Sequence, residues 1–360
     1  MLAESTSGGG LGDGDVEYSD QSRVPGNPLV SVSMITYQHA SYIKEALDSV
    51  LMQKVDFPYE ICLGEDGSTD GTRDICIDYA RRHPDKIRLF LRDRSNPARG
   101  SFRAPYMFNN AATFNACRGK YIAMLEGDDY WLHPQKLQLQ VNDLERSQGL
   151  AVSCHYSASV PEGRPWAGRV APDYPVDSFT IKDILERDVD NLHTSTWLLR
   201  RGRPMEWEPF RSCSFGDYPI LVSTLLRGTG RVLPGVWSLY RIHGQGVFSP
   251  LSYEIRLQQH VELWECLRSI VPPPLGCAAD IGTTRALIMR AGELRKAGKY
   301  GLALACFRAA LSEIGRFRPP PARRRELRLL ALESLVIPHL AGIRRLWRKR
   351  RFRKGSGSGS

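Results

Sequence analysis

The sequence predicts an α/β fold over residues 28–250, with a Rossmann-like, mainly parallel sheet flanked by helices, followed by an all-helical C-terminal extension. Three observations lead to this prediction. Apolar β-branched runs alternate with segments of helical spacing up to about residue 160, as in strand–helix–strand units. Two acid-rich loops directly follow two of the strands. Beyond residue 250 the apolar spacing is helical.

The predicted elements follow one another in a regular order. Four strands are predicted in the first half of the chain, at residues 29–35, 59–63, 87–91 and 121–125. Helices are predicted between them, at residues 41–53, 72–83 and 105–118. The pattern is weaker further on, and indicates short strands at residues 150–156, 195–200 and 232–240 with a helix at 217–227.

The two ends of the chain differ in composition from its middle. Residues 1–27 are rich in Gly, Ser and Asp, which predicts a disordered acidic tail. Residues 251–343 predict a helical extension, in which residues 284–311 resemble one tetratricopeptide-type helical hairpin. Residues 344–360 form a basic and Gly/Ser tail, and eight of the eleven residues at 344–354 are Lys or Arg.

Most of the net charge of +10 comes from the basic residues of this tail, so it says little about the main domain. No apolar run approaches the roughly 20 residues that cross a bilayer, and the N-terminus has no basic-plus-apolar signal segment. These features predict a cytoplasmic protein. The basic residues alternate with bulky apolar ones at 344–354, which favours peripheral contact with the inner face of a membrane. A solvated tail and a nucleic-acid contact are compatible with the same composition.

The segment Glu126-Gly127-Asp128-Asp129-Tyr130-Trp131 places three carboxylates directly after an apolar strand. Such a cluster repels itself unless a cation joins it. Mn²⁺ and Mg²⁺ favour oxygen ligands and usually keep water and substrate phosphates in their shell. The motif therefore predicts a metal site at Asp128 and Asp129. The alternative is a helix cap, because a helix is predicted to begin near Pro134.

A second acidic loop, Glu65-Asp66-Gly67-Ser68-Thr69-Asp70, follows the second strand. Taken alone it is equally typical of a turn and a helix cap. Ligands of parallel sheets bind beyond the carboxyl ends of the strands. Asp66 and Asp128 are therefore expected at the same edge of the sheet.

Two further motifs occur later in the chain. Gly216-Asp217-Tyr218-Pro219 places a carboxylate at a predicted helix start, and Tyr240-Arg241-Ile242-His243-Gly244 places a histidine after a predicted strand. Considered separately, Asp217 is more typical of a helix cap and His243 of a surface histidine.

In combination and order, these motifs resemble those of the family-two inverting glycosyltransferases, which have the A-type (GT-A) nucleotide-sugar fold. The resemblance spans about residues 28–250. Five segments carry it: Ser31 to His39, Glu65 to Thr72, Gly119 to Trp131, Gly216 to Pro219 and Tyr240 to Gly244. Several ordered motifs in one chain are far more specific than any one of them.

The resemblance implies roles at the matching positions. Nucleotide binding falls to Thr36, Tyr37, Asp66, Glu126 and Asp128, with Asp66 facing the nucleobase and Glu126 the ribose. The implied metal ligands on the diphosphate are Asp128, Asp129 and His243. Asp217 is the implied catalytic general base. Many members carry an arginine in the helix before the metal motif, where this chain has Asn109-Asn110, and Arg103 is the candidate replacement.

The function implied is an inverting, metal-dependent glycosyltransferase. It would move a sugar from a UDP-, GDP- or dTDP-linked donor to a glycan or lipid-linked acceptor in cell-envelope or capsule polysaccharide assembly, with Mn²⁺ or Mg²⁺ as cofactor. The alternative is a non-catalytic nucleotide-sugar-binding or helical scaffold protein. A nucleotidyltransferase is disfavoured because the loop Thr36-Tyr37-Gln38-His39 is not a Gly-rich triphosphate loop.

Overall fold

A computed structural model of the chain describes residues 3–5, 15–104, 106–162, 169–171, 176–186, 192–244, 246 and 251–336. The chain divides into two compact units, described separately below. The first unit comprises residues 1–184 with 189–250, and the second comprises residues 185–188 with 251–360. In the described ranges, every helix is too short or too polar to span a bilayer.

The strands in the described residues are β1 (Ala3–Ser5), β2 (Val16–Ser19), β3 (Val30–Thr36), β4 (Tyr59–Glu65), β5 (Ile87–Leu91), β6 (Tyr121–Glu126), β7 (Tyr130–Trp131), β8 (Leu150–Pro161), β9 (Arg169–Ala171), β10 (Ser178–Phe179), β11 (Leu198–Arg200) and β12 (Thr229–Ile242). The helices are α1 (Ile43–Leu51), α2 (Thr72–Arg82), α3 (Tyr106–Ala116), α4 (Lys136–Arg146), α5 (Ile181–Leu185), α6 (Asp217–Leu225), α7 (Tyr253–Ile270), α8 (Pro273–Lys296), α9 (Tyr300–Phe317) and α10 (Pro321–Val336).

The strands form one sheet in the order β1-β2-β5-β4-β3-β6-β11-β8-β12-β10, with β7 paired to β12 and β9 to β8. The four central strands, β5, β4, β3 and β6, are parallel to one another. Antiparallel strands extend the sheet on both sides, although β8 and β12 are parallel. The predicted α/β fold with C-terminal helices is confirmed, with more antiparallel pairing at the sides than the sequence predicted.

The hydrophobic core lies against the central strands. Residues of β3 and β4 are almost fully buried, so both faces of these strands are covered. Helix α1 contributes an apolar stripe at helical spacing, consisting of Ile43, Ala46, Leu47 and Val50. The central strands are thereby packed on both faces, and the loops that follow them begin at their carboxyl ends.

The acidic N-terminal segment is a correction to the sequence prediction. Residues 1–27 were expected to be disordered, but β2 pairs antiparallel with β5. Asp15 forms an ion pair with Arg92 at 3.2 Å, and Glu17 with Arg88 at 2.8 Å. Both arginines belong to or directly follow β5 and are buried. Composition predicted disorder because it does not reveal that these acids neutralise arginines distant in sequence.

The second unit is helical in its described part. Helix α8 packs against α7, α9 and α10. Its core contains Val261, Ala286, Leu287, Ile288, Ala310, Leu327, Leu330 and Ala331. Gly298, with φ of 75°, turns the chain between α8 and α9, a conformation that favours glycine. The predicted basic and Gly/Ser tail, residues 344–360, lies outside the described residues.

Candidate functional site

The loops that follow β3, β4 and β6 emerge at one edge of the sheet. In the parallel register, Thr36 lies opposite Glu65, and Ile35 opposite Glu126. The loops are also joined by backbone hydrogen bonds, from Asp66 N–H to Thr36 O at 3.0 Å and from Gly127 N–H to Ile35 O at 2.8 Å. The structure therefore brings both acidic loops to the same edge.

Glycine at position 127 is required by this close approach. A Cβ atom there would lie 2.6 Å from Thr36 Oγ1 and 2.7 Å from Thr36 Cβ. Any larger residue would push the acidic loop away from the end of β3. The hydroxyl oxygen of Thr36 is buried and has no hydrogen-bond partner within the described residues. Thr36 thus lines the inner side of the acidic loop.

Asp128 and His243 meet at this edge. His243 Nε2 lies 3.0 Å from Asp128 Oδ2, and His39 Nε2 lies 3.6 Å from the same oxygen. The His243 side chain is only 1% exposed. Strand β12, which ends one residue before His243, is aligned by pairing with β7, directly after the acidic loop. The structure therefore brings together these two sequence-predicted residues.

The surroundings of Asp128 keep its carboxylate ionised. Burial alone would raise its pKa, but the hydrogen bond from His243 and the charges of His39 and His243 outweigh it, so the pKa lies below its ordinary value. The pKa of His39 is also lowered. Here burial is the cause, and it outweighs the opposing charge of Asp128. The Asp128 carboxylate is thus available as an anionic ligand.

Asp129 points elsewhere. Its Oδ1 accepts a hydrogen bond from Arg241 N–H at 3.0 Å, and its Oδ2 lies 3.7 Å from His193 Nδ1. Burial raises its pKa well above the ordinary value, and the charges of Asp128 and Glu126 add to the shift. The structure gives Asp129 a contact with the end of β12, whereas only Asp128 of the predicted pair contacts His243.

The donor set fits a divalent cation of the Mg²⁺ or Mn²⁺ kind. Asp128 and His243 offer an oxygen and a nitrogen donor atom side by side, joined by a hydrogen bond of 3.0 Å. Within the described residues no group of three or more His, Cys, Asp or Glu side chains could hold a metal ion. An ion with few protein ligands usually completes its shell with water and substrate phosphate.

Glu126 interacts electrostatically with both Asp128 and Asp217. Thr194 donates a hydrogen bond to Glu126 Oε2 at 2.7 Å. Burial raises the pKa of Glu126 to about 7, against the effect of Thr194, and the charges of Asp128 and Asp217 contribute to the rise. Asp217 is therefore close enough to interact electrostatically with Glu126.

Asp217 is the first residue of α6. Its Oδ1 accepts a hydrogen bond from Tyr218 N–H at 2.8 Å, while Gly216 occupies the N-cap position. Burial raises the pKa of Asp217. The helix-start position that the sequence predicted is correct. Asp217 is only partly exposed, which distinguishes it from a fully solvent-exposed cap.

Asp66 is held by two arginines. Arg99 donates to both carboxylate oxygens at 2.7 Å, and Arg94 donates to Oδ2 at 3.2 Å. The Arg94 guanidinium also lies 4.2 Å from the ring centre of Tyr37, which is exposed. The predicted nucleobase residues Asp66 and Tyr37 are therefore neighbours, linked through Arg94.

The two asparagines of α3 support the backbone. Asn109 Nδ2 donates to Gly64 O at 2.9 Å. Asn110 packs on Gly216, since a Cβ added there would lie 2.7 Å from Asn110 Nδ2. Arg103 is exposed, and its backbone N–H donates to Arg211 O. Arg94 and Arg99 supply guanidinium groups beside Asp66.

Three residues that contact the site have no role in the sequence prediction, namely His39, His193 and Arg241. Arg241 Nη1 donates to Asp128 O at 2.6 Å, and its guanidinium lies 4.5 Å from the Tyr130 ring centre. The sequence did contain a signal for two of them, because His39 and Arg241 stand inside the quoted motifs. His193 stands in a segment without a motif, and its proximity to Asp129 follows from tertiary structure alone.

The structure combines a mixed, mostly parallel sheet flanked by helices with two acidic loops at the carboxyl edge of its central strands. Residues 31–202 match the family described as Glycosyl transferase family 2. Over these residues, which make up somewhat less than half of the chain, the sequence is similar to glycosyltransferase family 2.

Several known proteins are similar to this chain. An uncharacterized protein of Mycobacterium tuberculosis is 29% identical over 224 residues, covering 61% of this chain and 60% of the relative. An uncharacterized glycosyltransferase of Nostoc sp. is 35% identical over 126 residues, or 35% and 36% of the two chains. The chondroitin synthase of Escherichia coli is 31% identical over 144 residues, or 40% and 18%. The chain thus spans about 60% of the length of the mycobacterial relative.

Among solved structures, Staphylococcus aureus TarS residues 1–349 in complex with UDP is similar to this chain with a TM-score of 0.49 and 16% identity. The match covers 92% of this chain and 93% of that chain.

Proposed function

We propose that this chain is an inverting glycosyltransferase that transfers a sugar from a nucleoside-diphosphate sugar to an acceptor hydroxyl. The observation that carries the proposal is the convergence of Asp66, Asp128 and His243 at the carboxyl edge of the central strands. Asp217 joins them through its electrostatic interaction with Glu126. Residues from four of the five segments that carry the family-two resemblance therefore support the proposal.

Asp128 and His243 are the proposed ligands of a divalent cation, Mn²⁺ or Mg²⁺. When bound, such an ion acts as a Lewis acid that stabilises negative charge on a diphosphate. Asp129 is proposed to act indirectly, because its carboxyl group holds the backbone of Arg241 and thereby the end of β12. This proposal revises the sequence expectation that Asp129 itself binds the metal.

Asp217 is the proposed general base. Its carboxylate removes the proton of the acceptor hydroxyl as the acceptor oxygen attacks the anomeric carbon. The bond from that carbon to the diphosphate breaks, and its electron pair leaves with the diphosphate. Attack from the opposite face inverts the anomeric centre, so that one base suffices. A positioned base of this kind contributes about 10²–10⁴-fold to the rate.

The nucleotide is proposed to lie along the ends of β3 and β4. Asp66 accepts a hydrogen bond from the nucleobase with a lone pair that Arg99 and Arg94 leave free. Tyr37 contacts the base, Thr36 lines the loop, and Glu126 faces the ribose. The partly protonated state of Glu126 near pH 7, which follows from its pKa of about 7, suits a hydrogen bond with a neutral hydroxyl group.

The acceptor is proposed to be a glycan or lipid-linked glycan of the cell envelope or capsule. The names of two relatives, a chondroitin synthase and a hyaluronan synthase, support a polysaccharide acceptor. We propose a cytoplasmic location with peripheral membrane contact through basic residues 344–354. Their composition supports this contact.

The proposal is tested by following release of nucleoside diphosphate from UDP, GDP and dTDP sugars with and without Mn²⁺. Metal-dependent turnover with at least one donor is expected. Absence of turnover with every donor and a range of glycan acceptors would contradict the proposal. Metal-dependent nucleotide binding without turnover would instead support a non-catalytic nucleotide-sugar-binding protein.

A further inference from the structure

Helix α10 begins with a cluster of four arginines, Arg323, Arg324, Arg325 and Arg328, which differ in whether they pair with a described carboxylate. Arg323 forms ion pairs with Glu186 and Glu326. Three other arginines of the first two turns form no ion pair with a carboxylate of the described residues; they are Arg324, Arg325 and Arg328. Arg324 donates instead to a backbone oxygen, that of Pro319, at 3.3 Å.

Elsewhere in the second unit, arginines between helices have acidic partners. Arg268 pairs with Asp280 at 2.6 Å, and Arg316 shares that carboxylate at 3.4 Å. Arg285 pairs with Glu326. Like charges four residues apart on a helix repel each other, so Arg324 and Arg328 destabilise α10 unless an anion lies between them. Arg324, Arg325 and Arg328 therefore give α10 a positively charged patch that a bound anion would stabilise.

The three arginines line a recess of about 320 Å³ together with Pro321 and Leu329. A guanidinium group offers two parallel N–H donors that match two oxygens of a phosphate group. Leu329, 41% exposed, adds an apolar side chain to the edge of the charged recess. The lining thus combines phosphate recognition with apolar contact.

We propose that this arginine recess, formed by Arg324, Arg325 and Arg328, binds phosphodiester head groups of an anionic lipid surface. The proposal deepens the membrane contact of the proposed function and does not depend on the transfer chemistry. A lipid surface fits better than a nucleic acid because Leu329 borders the recess and because Leu346, Trp347 and Phe352 are interleaved with the basic residues that follow in sequence.

Charge supports the same partner. Residues 321–354 carry twelve Lys or Arg and two Glu, so that their net charge equals the +10 of the entire chain. Basic segments are attracted to anionic leaflets, and the attraction decays within about 10 Å at moderate salt. The recess differs from the basic tail in what it recognises. Phosphate binding in the arginine recess requires the paired N–H donors of guanidinium groups. The attraction of the basic tail to an anionic leaflet requires only positive charge.

The test uses the full chain and co-sedimentation with vesicles of phosphatidylglycerol and phosphatidylcholine, or of phosphatidylcholine alone. The triple variant R324K/R325K/R328K keeps every charge but removes the paired donors. We expect its partition onto phosphatidylglycerol vesicles to fall about tenfold. The matched control R344K/R345K/R348K makes the same change in the tail and is expected to bind like the wild type. Equal binding of the α10 variant and the wild type would overturn the proposal.

Two further arms identify the source of the phosphate. Inorganic phosphate is expected to displace the wild type from vesicles and to have less effect on the residual binding of the α10 variant. Binding of inorganic phosphate or an RNA oligonucleotide through these arginines, without binding to anionic vesicles, would overturn the lipid assignment.

The far-UV circular dichroism of each variant verifies its folding. Nucleoside-diphosphate release without vesicles is measured in parallel. Its absence in the wild type would contradict the proposed transferase activity and leave the vesicle result intact.

Discussion

Nε2 of His243 lies 3.0 Å from Oδ2 of Asp128, although 115 residues separate the two in sequence. Strands β6 and β12 are not neighbours, because β11 and β8 lie between them in the sheet. The two-residue strand β7 bridges this distance, since Tyr130 pairs with Leu239. The acidic loop and the end of β12 are therefore aligned by backbone pairing.

This relationship predicts unequal roles for the two adjacent aspartates. Asp128→Asn and His243→Ala are each expected to weaken Mn²⁺ binding by about 100-fold, and Asp129→Asn by about tenfold or less. Asp129 is the milder site because its raised pKa favours the neutral form, which asparagine imitates. Electron paramagnetic resonance titration of Mn²⁺ with nucleoside diphosphate present measures these affinities. A larger loss for Asp129→Asn than for Asp128→Asn would show that the assignment is wrong.

Asp217→Asn is expected to lower kcat by about 10²–10⁴-fold and to leave the donor dissociation constant within about twofold of the wild type. The exposed Asp177→Asn serves as the control. Because burial raises the pKa of Asp217, the acidic limb of the wild-type pH–rate profile should lie above the ordinary aspartate value of about 3.9. The rate should fall as the pH decreases through that pKa, since the base must be ionised. Normal transfer by Asp217→Asn would eliminate it as the base.

The Asp66–Arg99 pair allows stability and nucleotide binding to be separated. Asp66→Ala leaves Arg99, a buried guanidinium, without its carboxylate, and is expected to cost about 3–5 kcal/mol of unfolding free energy. The double variant Asp66→Ala/Arg99→Met should recover part of this loss but not the nucleotide affinity. Urea denaturation and calorimetric titration with nucleotides measure the two quantities. Recovered affinity in the double variant would argue against Asp66 as the nucleobase acceptor.

The N-terminal segment is predicted to contribute to the stability of the first unit. Asp15→Ala removes the carboxylate partner of Arg92, which is 1% exposed, and is expected to lower the unfolding free energy by about 3–5 kcal/mol. Asp85→Ala, at an exposed position, is expected to change it by no more than about 0.5 kcal/mol. Chemical denaturation checks both values, and equal effects of the two substitutions would contradict the buried-pair argument.

Lys136 predicts a pH dependence of stability. Its ammonium nitrogen is buried, donates to Gln140 Oε1 at 2.8 Å and lies 4.0 Å from the Trp131 ring centre. Burial lowers its pKa to about 7 from 10.5. The unfolded chain therefore binds more protons than the folded chain between these values, and stability due to this group rises with pH across that window.

The slope of this effect approaches about 1.4 kcal/mol per pH unit at most. Lys136→Met lacks the titrating group and should lose the rise. Urea denaturation at pH 7 and pH 9 of both proteins measures the difference. Identical pH dependence of the wild type and Lys136→Met would show that Lys136 is not the cause.

Much of the fold could be predicted because the sequence patterns that indicate its strands and helices lie within short segments. The apolar runs of β3 and β6 and the helical spacing of α1 are each contained in a few consecutive residues. The expected proximity of Asp66 and Asp128 followed from a general rule of parallel sheets. The structure places both of their loops at that edge.

The sequence alone determined the central strands, the helices between them and the acidic loops that follow β4 and β6, because side-chain periodicity and strand ends are properties of neighbouring residues. Tertiary structure alone decided that Asp129 faces Arg241, that Arg99 holds Asp66, and that Asp15 pairs with Arg92. Each of these contacts joins residues distant along the chain. Which two residues pair depends on how the strands pack and on the free-energy cost of burying an unpaired charge. Neither can be derived from the pattern of neighbouring residues.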